Sequence, residues 1–145
     1  MKIYFDHEKL DVYVQAIDFC GWVGDFLDTV TARAAAKDQL DRASTSVPLN
    51  IAEGNAKFSL ADRSRFFEIA RGSAVECAAC LDVLVVRKLA KQEIANERKE
   101  QLVRIVEMLV GLLRRFSDRA DRVREDGDGD YDYEHEHDYE GKTPR

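Results

Sequence analysis

Apolar residues recur along this chain at intervals of three and four, which is the period of an α-helix. The chain contains only two prolines, Pro48 and Pro144, and so few breakers favour long helices over many short strands. Short connections between long helices make neighbouring helices antiparallel. The pattern therefore predicts an all-α fold, an antiparallel up-and-down four-helix bundle over residues 1–123. The four predicted helices span residues 6–30, 32–53, 60–89 and 92–123.

The predicted helix ends carry recognisable signals. Gly54 stands where the second helix needs a C-cap, because glycine tolerates a left-handed backbone. Ser59 and Asp62 form most of a capping box at the start of the third helix, with Asp62 in place of the usual Glu. Pro48 lies inside the second helix, where it removes one backbone hydrogen bond. We expect Pro48 to kink that helix or to divide it in two.

The first and fourth helices are apolar around most of their circumference. On the first helix, apolar side chains cover an arc of roughly 240°, whereas the apolar stripe of a surface helix covers about 100° or a little more. The fourth helix has a similar pattern. A bundle of four helices buries about half of each helix, so apolar surface is left over, and such surface marks interfaces. We therefore expect a homo-oligomer; the alternative is a monomer with an apolar surface.

The net charge of −6 is concentrated at the C-terminus. Residues 1–122 hold 19 basic and 19 acidic residues, whereas residues 123–145 hold three basic and nine acidic ones. The bundle therefore has no overall basic field that would attract nucleic acid. Residues 124–145 are predicted to form an acidic disordered tail. Asp126, Asp128 and Asp130 match the start of an EF-hand loop, but the later positions fail, so disorder is favoured over a metal site.

The sequence offers no candidate for catalysis. Cys77 and Cys80 form a C-x-x-C, but the pair lies inside an apolar helical segment, so we interpret both as small core residues. No phosphate-binding loop, zinc-protease motif or nucleophile–base pair is present. We predict a protein that is not an enzyme and has no cofactor, metal or evident small-molecule substrate. Without an apolar leader or a long apolar run, we expect a cytoplasmic protein with no membrane contact.

Four basic residues flank the connection between the second and third helices. They are Lys57, Arg63, Arg65 and Arg71. Side chains of this type neutralise nucleic-acid phosphates, so the four are candidate nucleic-acid contacts. The alternative is an ordinary solvated face with ion pairs, for example between Arg65 and Glu68 at i,i+3.

Two stretches of the chain resemble a known family. Residues 40–54 read L-D-R-A-S-T-S-V-P-L-N-I-A-E-G, and residues 65–76 read R-F-F-E-I-A-R-G-S-A-V-E. They are similar to the patterns R-A-x-x-S-[IV]-x-x-N-I-A-E-G and R-F-x-x-I-A-x-G-S-x-x-E of the 23S rRNA intervening-sequence proteins, also called four-helix bundle proteins. The resemblance covers the chain from roughly residue 8 to residue 120, and the acidic tail is not part of the family pattern.

The resemblance implies a bacterial up-and-down bundle that assembles into a ring, often a pentamer. Relatives include the accessory variability determinant proteins of diversity-generating retroelements, which assist a reverse transcriptase and bind nucleic acid through a basic surface. For most members no activity is established. The present chain departs from those basic relatives in its neutral bundle and its acidic tail.

The motif residues are interpreted first as structural. Asn50 and Glu53 are placed in a turn ending at Gly54, where their side chains would satisfy backbone groups. Gly72 and Ser73 would let the third helix approach a neighbour closely. Glu76 lies near an apolar arc, so its carboxylate is expected to need a partner. The motif residues treated in this way are Pro48, Asn50, Glu53, Gly54, Gly72, Ser73 and Glu76.

Two functional hypotheses follow. The first is a non-enzymatic homo-oligomeric scaffold that contacts RNA, DNA or a nucleic-acid-processing protein through the four basic residues. The alternative is a protein–protein interaction module whose acidic tail or helix face binds a basic partner. In either case the tail has the charge to compete with nucleic acid for a basic surface.

Overall fold

The computed structural model describes residues 2–126 and confirms an all-α fold of four helices. A short 3₁₀ turn, Asp6–Lys9, precedes α1 and is separated from it by the extended residue Leu10. The predicted first helix thus began too early, because it included this turn. The four helices are α1 (Asp11–Thr29), α2 (Ala35–Ala56), α3 (Leu60–Val86) and α4 (Gln92–Asp126).

The C-terminal end of α4 lies beyond the predicted end of the bundle. The helix continues to Asp126, three residues past the position at which its apolar pattern stops. The predicted disordered tail lies outside the described residues from residue 127 onward, and so does most of the stretch compared with an EF-hand loop.

Each helix packs on the next, and α4 packs back on α1, as an up-and-down bundle requires. The contact between α2 and α3 is the most extensive, and that between α1 and α4 is the least. Each helix turns one stripe inward, at the three- and four-residue spacing. The largest fully buried core side chains are Phe19 and Val23 of α1, Leu40, Val47 and Ile51 of α2, Phe67, Cys77, Leu81 and Leu84 of α3, and Leu102, Ile105 and Leu109 of α4.

The weak α1–α4 contact is supplemented by a polar cluster around Gln101. This side chain is buried, and its amide donates to Asp18 Oδ2 at 2.8 Å and to Gln15 Oε1 at 3.1 Å. Arg98 donates to the side-chain oxygen Oε1 of Gln101 at 3.0 Å, and its guanidinium carbon lies 4.9 Å from the centre of the Trp22 ring. Buried polar groups require such partners, so the cluster fixes how α1 lies on α4.

Pro48 does not divide α2. The helix is one element from Ala35 to Ala56, with Pro48 buried inside it. Of the two predicted effects, the division of the helix was therefore wrong, and the kink stays a prediction. Side chains near the proline bond to the backbone: Asn50 Nδ2 donates to the Ser46 carbonyl at 2.8 Å, and Ser44 Oγ donates to the Asp41 carbonyl at 3.0 Å.

Gly54 is not a C-cap, because α2 continues to Ala56. The glycine is buried where α2 crosses α3. A Cβ added at Gly54 would lie 2.9 Å from the Cβ of Phe66 and 3.5 Å from the Phe67 ring. The first distance is too short for two carbon atoms, so any larger residue would push the helices apart. Gly54 was thus correctly identified as a position that requires glycine, but the physical reason is the close packing of α2 on α3 and not a helix end.

Ser59 caps α3 as predicted. Its backbone is extended, and its Oγ accepts a hydrogen bond from the Asp62 backbone N–H at 3.0 Å. This bond satisfies one of the donors left unpaired at the start of the helix. The extended residues before it end α2 and reverse the chain.

The close crossing predicts that Gly54→Ala destabilises the bundle by about 1–3 kcal/mol, the usual cost of overpacking a core. Gln39→Ala, at an exposed position of the same helix, is the control. The control should be neutral or slightly stabilising because alanine is the better helix former. Urea unfolding at one fixed protein concentration measures both; equal stability of the two variants would contradict the packing role of Gly54.

Candidate nucleic-acid interface

The turn between α2 and α3 brings three of the four predicted cationic residues together, two of them around one aromatic ring. Lys57 Nζ lies 5.0 Å from the centre of the Phe66 ring, and the guanidinium carbon of Arg65 lies 5.2 Å from it. Arg63 Nε donates to the Lys57 carbonyl at 2.7 Å. Cations are attracted to the faces of aromatic rings, so Phe66 organises this group. We call Lys57, Arg63, Arg65 and Phe66 the cation–aromatic cluster.

The three cations of the cluster differ in how far they are exposed to solvent. Lys57 is 3% exposed, whereas the Arg65 side chain is 58% exposed. Arg63 is half-buried, with its guanidinium 6.0 Å from the centre of the Phe116 ring of α4. Arg65 therefore presents most of the accessible charge, while Lys57 contributes a positive potential from beneath the surface.

Asp62 partly neutralises the cluster. The residue is buried in the first turn of α3, where the helix dipole favours a carboxylate. Its Oδ1 lies 3.0 Å from an Arg65 nitrogen. Its Oδ2 accepts no hydrogen bond within the described part of the chain. The ion pair orients Arg65 over Phe66 and reduces the net charge available to a phosphate.

Arg71 lies outside the cluster. It is placed further along α3, and its guanidinium nitrogen lies 2.7 Å from Glu68 Oε2. The sequence suggested that Glu68 would pair with Arg65. The actual partners are Arg71 for Glu68 and Asp62 for Arg65, all at the i,i+3 spacing of a helix surface. Whether any of the four residues contacts nucleic acid stays a prediction.

A second set of motif residues joins α2 to α3 halfway along the bundle. The hydroxyl oxygens of Ser46 and Ser73 are 2.8 Å apart, and Asn50 Nδ2 donates to Ser46 Oγ at 2.9 Å. Ser73 therefore lies against α2, and the close helix approach expected of it stays a prediction. Asn50 and Glu53 were placed in a turn, which is wrong, because α2 is still helical at both residues.

Gly72 and Glu76 face outward, contrary to expectation. Nothing within the described chain lies within 4 Å of a Cβ added at Gly72, so this glycine serves no close approach there. Glu76 is exposed and needs no protein partner, because water solvates its carboxylate. Both residues belong to the outer surface of α3.

The outer face of α3 is mostly apolar, although the exposed carboxylate of Glu76 lies on the same stripe, and the sequence interpretation did not identify this face. Ala79 and Gly72 lie on it among exposed valine and isoleucine side chains, and Val75 is 54% exposed. These positions follow one another at three- and four-residue spacing, so they form one stripe. We call this surface the α3 outer face. It consists of Ile69, Gly72, Val75, Ala79, Val83 and Val86.

A second apolar surface lies on the α1–α4 side, as the wide apolar arcs predicted. Val14 and Ile17 of α1 and Val103 of α4 are exposed. An open groove of about 580 Å³ runs between the two helices and has Leu10 and Leu112 among its apolar lining. We call this surface the α1–α4 face. In a cyclic arrangement of four helices α1 and α3 occupy opposite corners, so the two apolar surfaces point in different directions.

The buried cysteines explain why C-x-x-C is not a reactive motif here. Cys77 is fully buried, and burial raises the pKa of its thiol to about 12. Burial also raises the pKa of Cys80. Both thiols are therefore protonated at neutral pH and poor nucleophiles.

Within residues 2–126, no group of three or more His, Cys, Asp or Glu side chains could hold a metal ion. None of the described helices is long and apolar enough to cross a membrane.

Fold and surface together define an all-helical bundle with a cation–aromatic turn and two apolar faces. The model of the 23S rRNA-intervening sequence protein family matches residues 8–111, and the chain belongs to that family. A solved protein of unknown function from the S23 ribosomal protein family of Bacteroides thetaiotaomicron has a similar fold, with a TM-score of 0.68 and 20% identity. The match covers 71% of this chain and 95% of that one. No curated protein matches the chain.

The cysteine environments predict selective labelling. At pH 8 an aromatic disulfide reagent should react with the folded protein at no more than one site per chain, the half-buried Cys20. Cys77 and Cys80 should react after denaturation, because unfolding restores their pKa to the ordinary range. Fast labelling of three thiols in the folded protein would contradict the burial of the pair.

Proposed function

We propose that this protein is a non-enzymatic, homo-oligomeric scaffold that binds RNA or DNA through the cation–aromatic cluster. The observation that carries the proposal is the grouping of Lys57 and Arg65 around Phe66, with Arg63 bonded to the Lys57 carbonyl and Arg65 more than half exposed. Arginine guanidinium groups pair with phosphates and stack on bases. An aromatic ring beneath them restricts their conformations, which lowers the entropy lost on binding.

The aromatic side chains of the turn favour single-stranded or structured RNA as the ligand over a uniform double helix. Phe58 is 56% exposed beside the cluster. Bases that are splayed out of a helix stack on side chains of this kind. Arg71 would add a phosphate contact further along α3, at the cost of its ion pair with Glu68.

Assembly would compensate for the modest charge of a single site. A bundle with no net basic field binds one phosphate cluster weakly. Several copies held in one particle bind the same nucleic acid together, with an avidity well above the affinity of one site. The scaffold therefore needs the oligomer in order to bind usefully.

The two apolar surfaces support a ring. A two-fold dimer uses the same patch on both subunits, whereas a ring joins two different patches head to tail. We propose that the α3 outer face of one subunit packs on the α1–α4 face of the next. The ring would be a pentamer if it follows the family resemblance. Gly72, Gly21 and Gly24 are exposed in mid-helix without a contact in their own chain, and they would let a neighbouring helix approach closely.

The alternative is a protein–protein interaction module. Asp62, buried beside Arg65, lowers the positive potential of the cluster, and the acidic tail has a charge that suits a basic protein partner. In this alternative the protein is still an oligomer, but its ligand is a basic protein instead of a nucleic acid.

The ring model predicts that Val75→Glu weakens assembly. A carboxylate buried at an apolar interface should raise the dissociation constant more than about tenfold, because an unpaired buried charge costs more than about 1.4 kcal/mol. Gln39→Glu, at an exposed position of α2, is the control and should assemble like the wild type. Light scattering gives the masses, and circular dichroism checks the folds. A Val75→Glu protein that is helical and fully assembled would exclude the α3 outer face as the interface.

The nucleic-acid proposal predicts a lower salt dependence for Arg65→Gln/Arg71→Gln. Each phosphate-binding cation that is removed should reduce the slope of log K against log salt concentration by about 0.7 for single strands, so the loss of both should reduce it by about 1.4. Arg33→Gln/Arg87→Gln removes the same charge from exposed residues at the other end of the bundle and should keep the wild-type slope. Gel-shift titrations with a structured RNA measure the slopes. No complex at low salt, or equal slopes for the two double variants, would contradict the proposal.

A further inference from the structure

We propose a specific register for the contact between neighbouring subunits, in which Gly72 on the α3 outer face of one chain lies against Gly111 on the α1–α4 face of the next. The inference rests on the homo-oligomer of the proposed function and adds which residues of the two faces meet. It does not depend on nucleic-acid binding. The supporting observations are the heights of the residues along the bundle, the gaps at the two glycines and the charges of the two faces.

Two contacts fix how α3 and α4 lie side by side. Asp82 Oδ1 of α3 is 2.7 Å from Lys99 Nζ of α4, and the Phe67 ring of α3 lies 5.4 Å from the Phe116 ring of α4. Between these contacts, fifteen residues of α3 run antiparallel to seventeen residues of α4. Both helices rise about 1.5 Å per residue, so each position on α3 has a known level on α4.

Gly72 and Gly111 lie at the same height along the bundle. Counting from the two contacts places Gly72 level with residue 110 of α4, about 1.5 Å from the level of Gly111. Both glycines are exposed, and nothing in the described chain lies within 4 Å of a Cβ added at either one. Gly111 lines the open groove between α1 and α4. Each of the two faces therefore has a gap in its side chains at one shared height.

A ring of parallel bundles places equal heights opposite each other. The α3 outer face and the α1–α4 groove both run along the helices, so packing one into the other keeps neighbouring bundles nearly parallel, with a crossing angle of about 20°. The operation that relates neighbours in a closed ring is then a rotation about an axis along the bundles. Such a rotation does not move a subunit along that axis, so Gly72 meets the residues at the level of Gly111.

The two glycines permit a close crossing of the helices. The axes of packed helices are about 8–10 Å apart, and each Cα lies about 2.3 Å from its axis. Facing Cα atoms without side chains are therefore separated by about 3.5–5.5 Å. One turn further along α3, Val75 is level with Glu107, beside Met108, which lines both hollows of the groove. The exposed Val75 side chain is thus covered by an apolar partner.

The charges of the two faces have opposite signs. Residues 68–86 of α3 hold one basic and three acidic residues, a net charge of −2, which Lys99 reduces to −1 through its ion pair with Asp82. The groove has a net charge of +1. Its charged lining residues are Lys9, Asp11, Arg104, Glu107 and Arg115. Opposite charges favour this pairing of the faces over a contact between two copies of either one.

The register also gives Glu76 a partner. Glu76 lies level with residue 106 of α4, two residues from Arg104, and neither side chain forms an ion pair within residues 2–126. Water solvates the Glu76 carboxylate in a single chain, but packing against a neighbour removes that water. A carboxylate that loses its water needs a counter-ion, and Arg104 of the next subunit is at the right height to supply it.

Disulfide cross-linking tests the register. In a chain with Cys20→Ser the two remaining native thiols are buried, so Gly72→Cys/Gly111→Cys adds the reactive pair. Diamide takes up the two electrons and two protons released by each disulfide. We expect it to produce a ladder of linked chains on a non-reducing denaturing gel, because the Cα separation approaches the disulfide range of about 4.4–6.8 Å. The last band of the ladder counts the subunits of the closed ring.

A second pair avoids adding side chains at the glycines. Val75→Cys/Met108→Cys replaces two apolar side chains at one height, and it should give the same ladder. Each single variant, Gly72→Cys or Gly111→Cys, should remain unlinked, because a head-to-tail contact never brings identical residues together.

The control pair combines residues at different heights. Gly21 is exposed on α1, three residues beyond Asp18, which bonds to Gln101 of α4. Its level is therefore more than about 15 Å from that of Gly72. Gly72→Cys/Gly21→Cys should cross-link at least about tenfold more slowly than the two test pairs, because a disulfide does not span that distance.

Three results would overturn the register. They are a dimer formed by the single Gly72→Cys variant, which indicates a two-fold contact, faster linking of the control pair than of the test pairs, and no ladder from either test pair in a protein that sediments as an assembly. A wild-type protein that is monomeric at every concentration would contradict the proposed oligomer itself. Sedimentation velocity therefore distinguishes the failure of the proposed function from the failure of the register alone.

Discussion

A helix in a four-helix bundle can bury only the stripe that faces its neighbours, and this limit decides how the surface of the protein is used. Here the buried stripe of α3 runs from Phe67 through Cys77 to Leu84, and the apolar residues beyond it face outward. The same holds for Val14 and Ile17 of α1. Two different apolar patches on one bundle allow head-to-tail contacts, which close into a ring when the rotation between neighbouring subunits permits it. The proposed assembly thus follows from the excess of apolar circumference over what one chain can cover.

The crossing of α2 and α3 links this architecture to the candidate site. Gly54 brings α2 against Phe66, and the turn that follows places Lys57 and Arg65 beside the same ring. Within the family motif, Gly54, Ser46 and Ser73 are residues of contact between α2 and α3, and the cations at the turn owe their positions to that packing. A cluster organised in this way lies at the end of the bundle toward which α4 runs.

Much of this fold could be predicted from the sequence, because helical periodicity and the Ser59 cap are local signals. The roles of Gly54 and Gly72 could not, because both depend on which helix lies opposite. One glycine packs against Phe66 and the other faces away from the chain. Ion pairs on α3 were also predicted at the right spacing but with the wrong partners, since Asp62 and Arg71 were not considered together with Glu68. The cation–aromatic cluster needed the turn geometry, which no sequence pattern specifies.

The central claim is that copies of this chain associate through the apolar surface that a single bundle leaves uncovered. The most direct test is the mass of the full-length wild-type protein in solution, measured by sedimentation velocity over a wide range of concentration. The account predicts one dominant species with a mass that is a whole-number multiple of 16.5 kDa and that persists on dilution. A single species of 16.5 kDa at every concentration would contradict it.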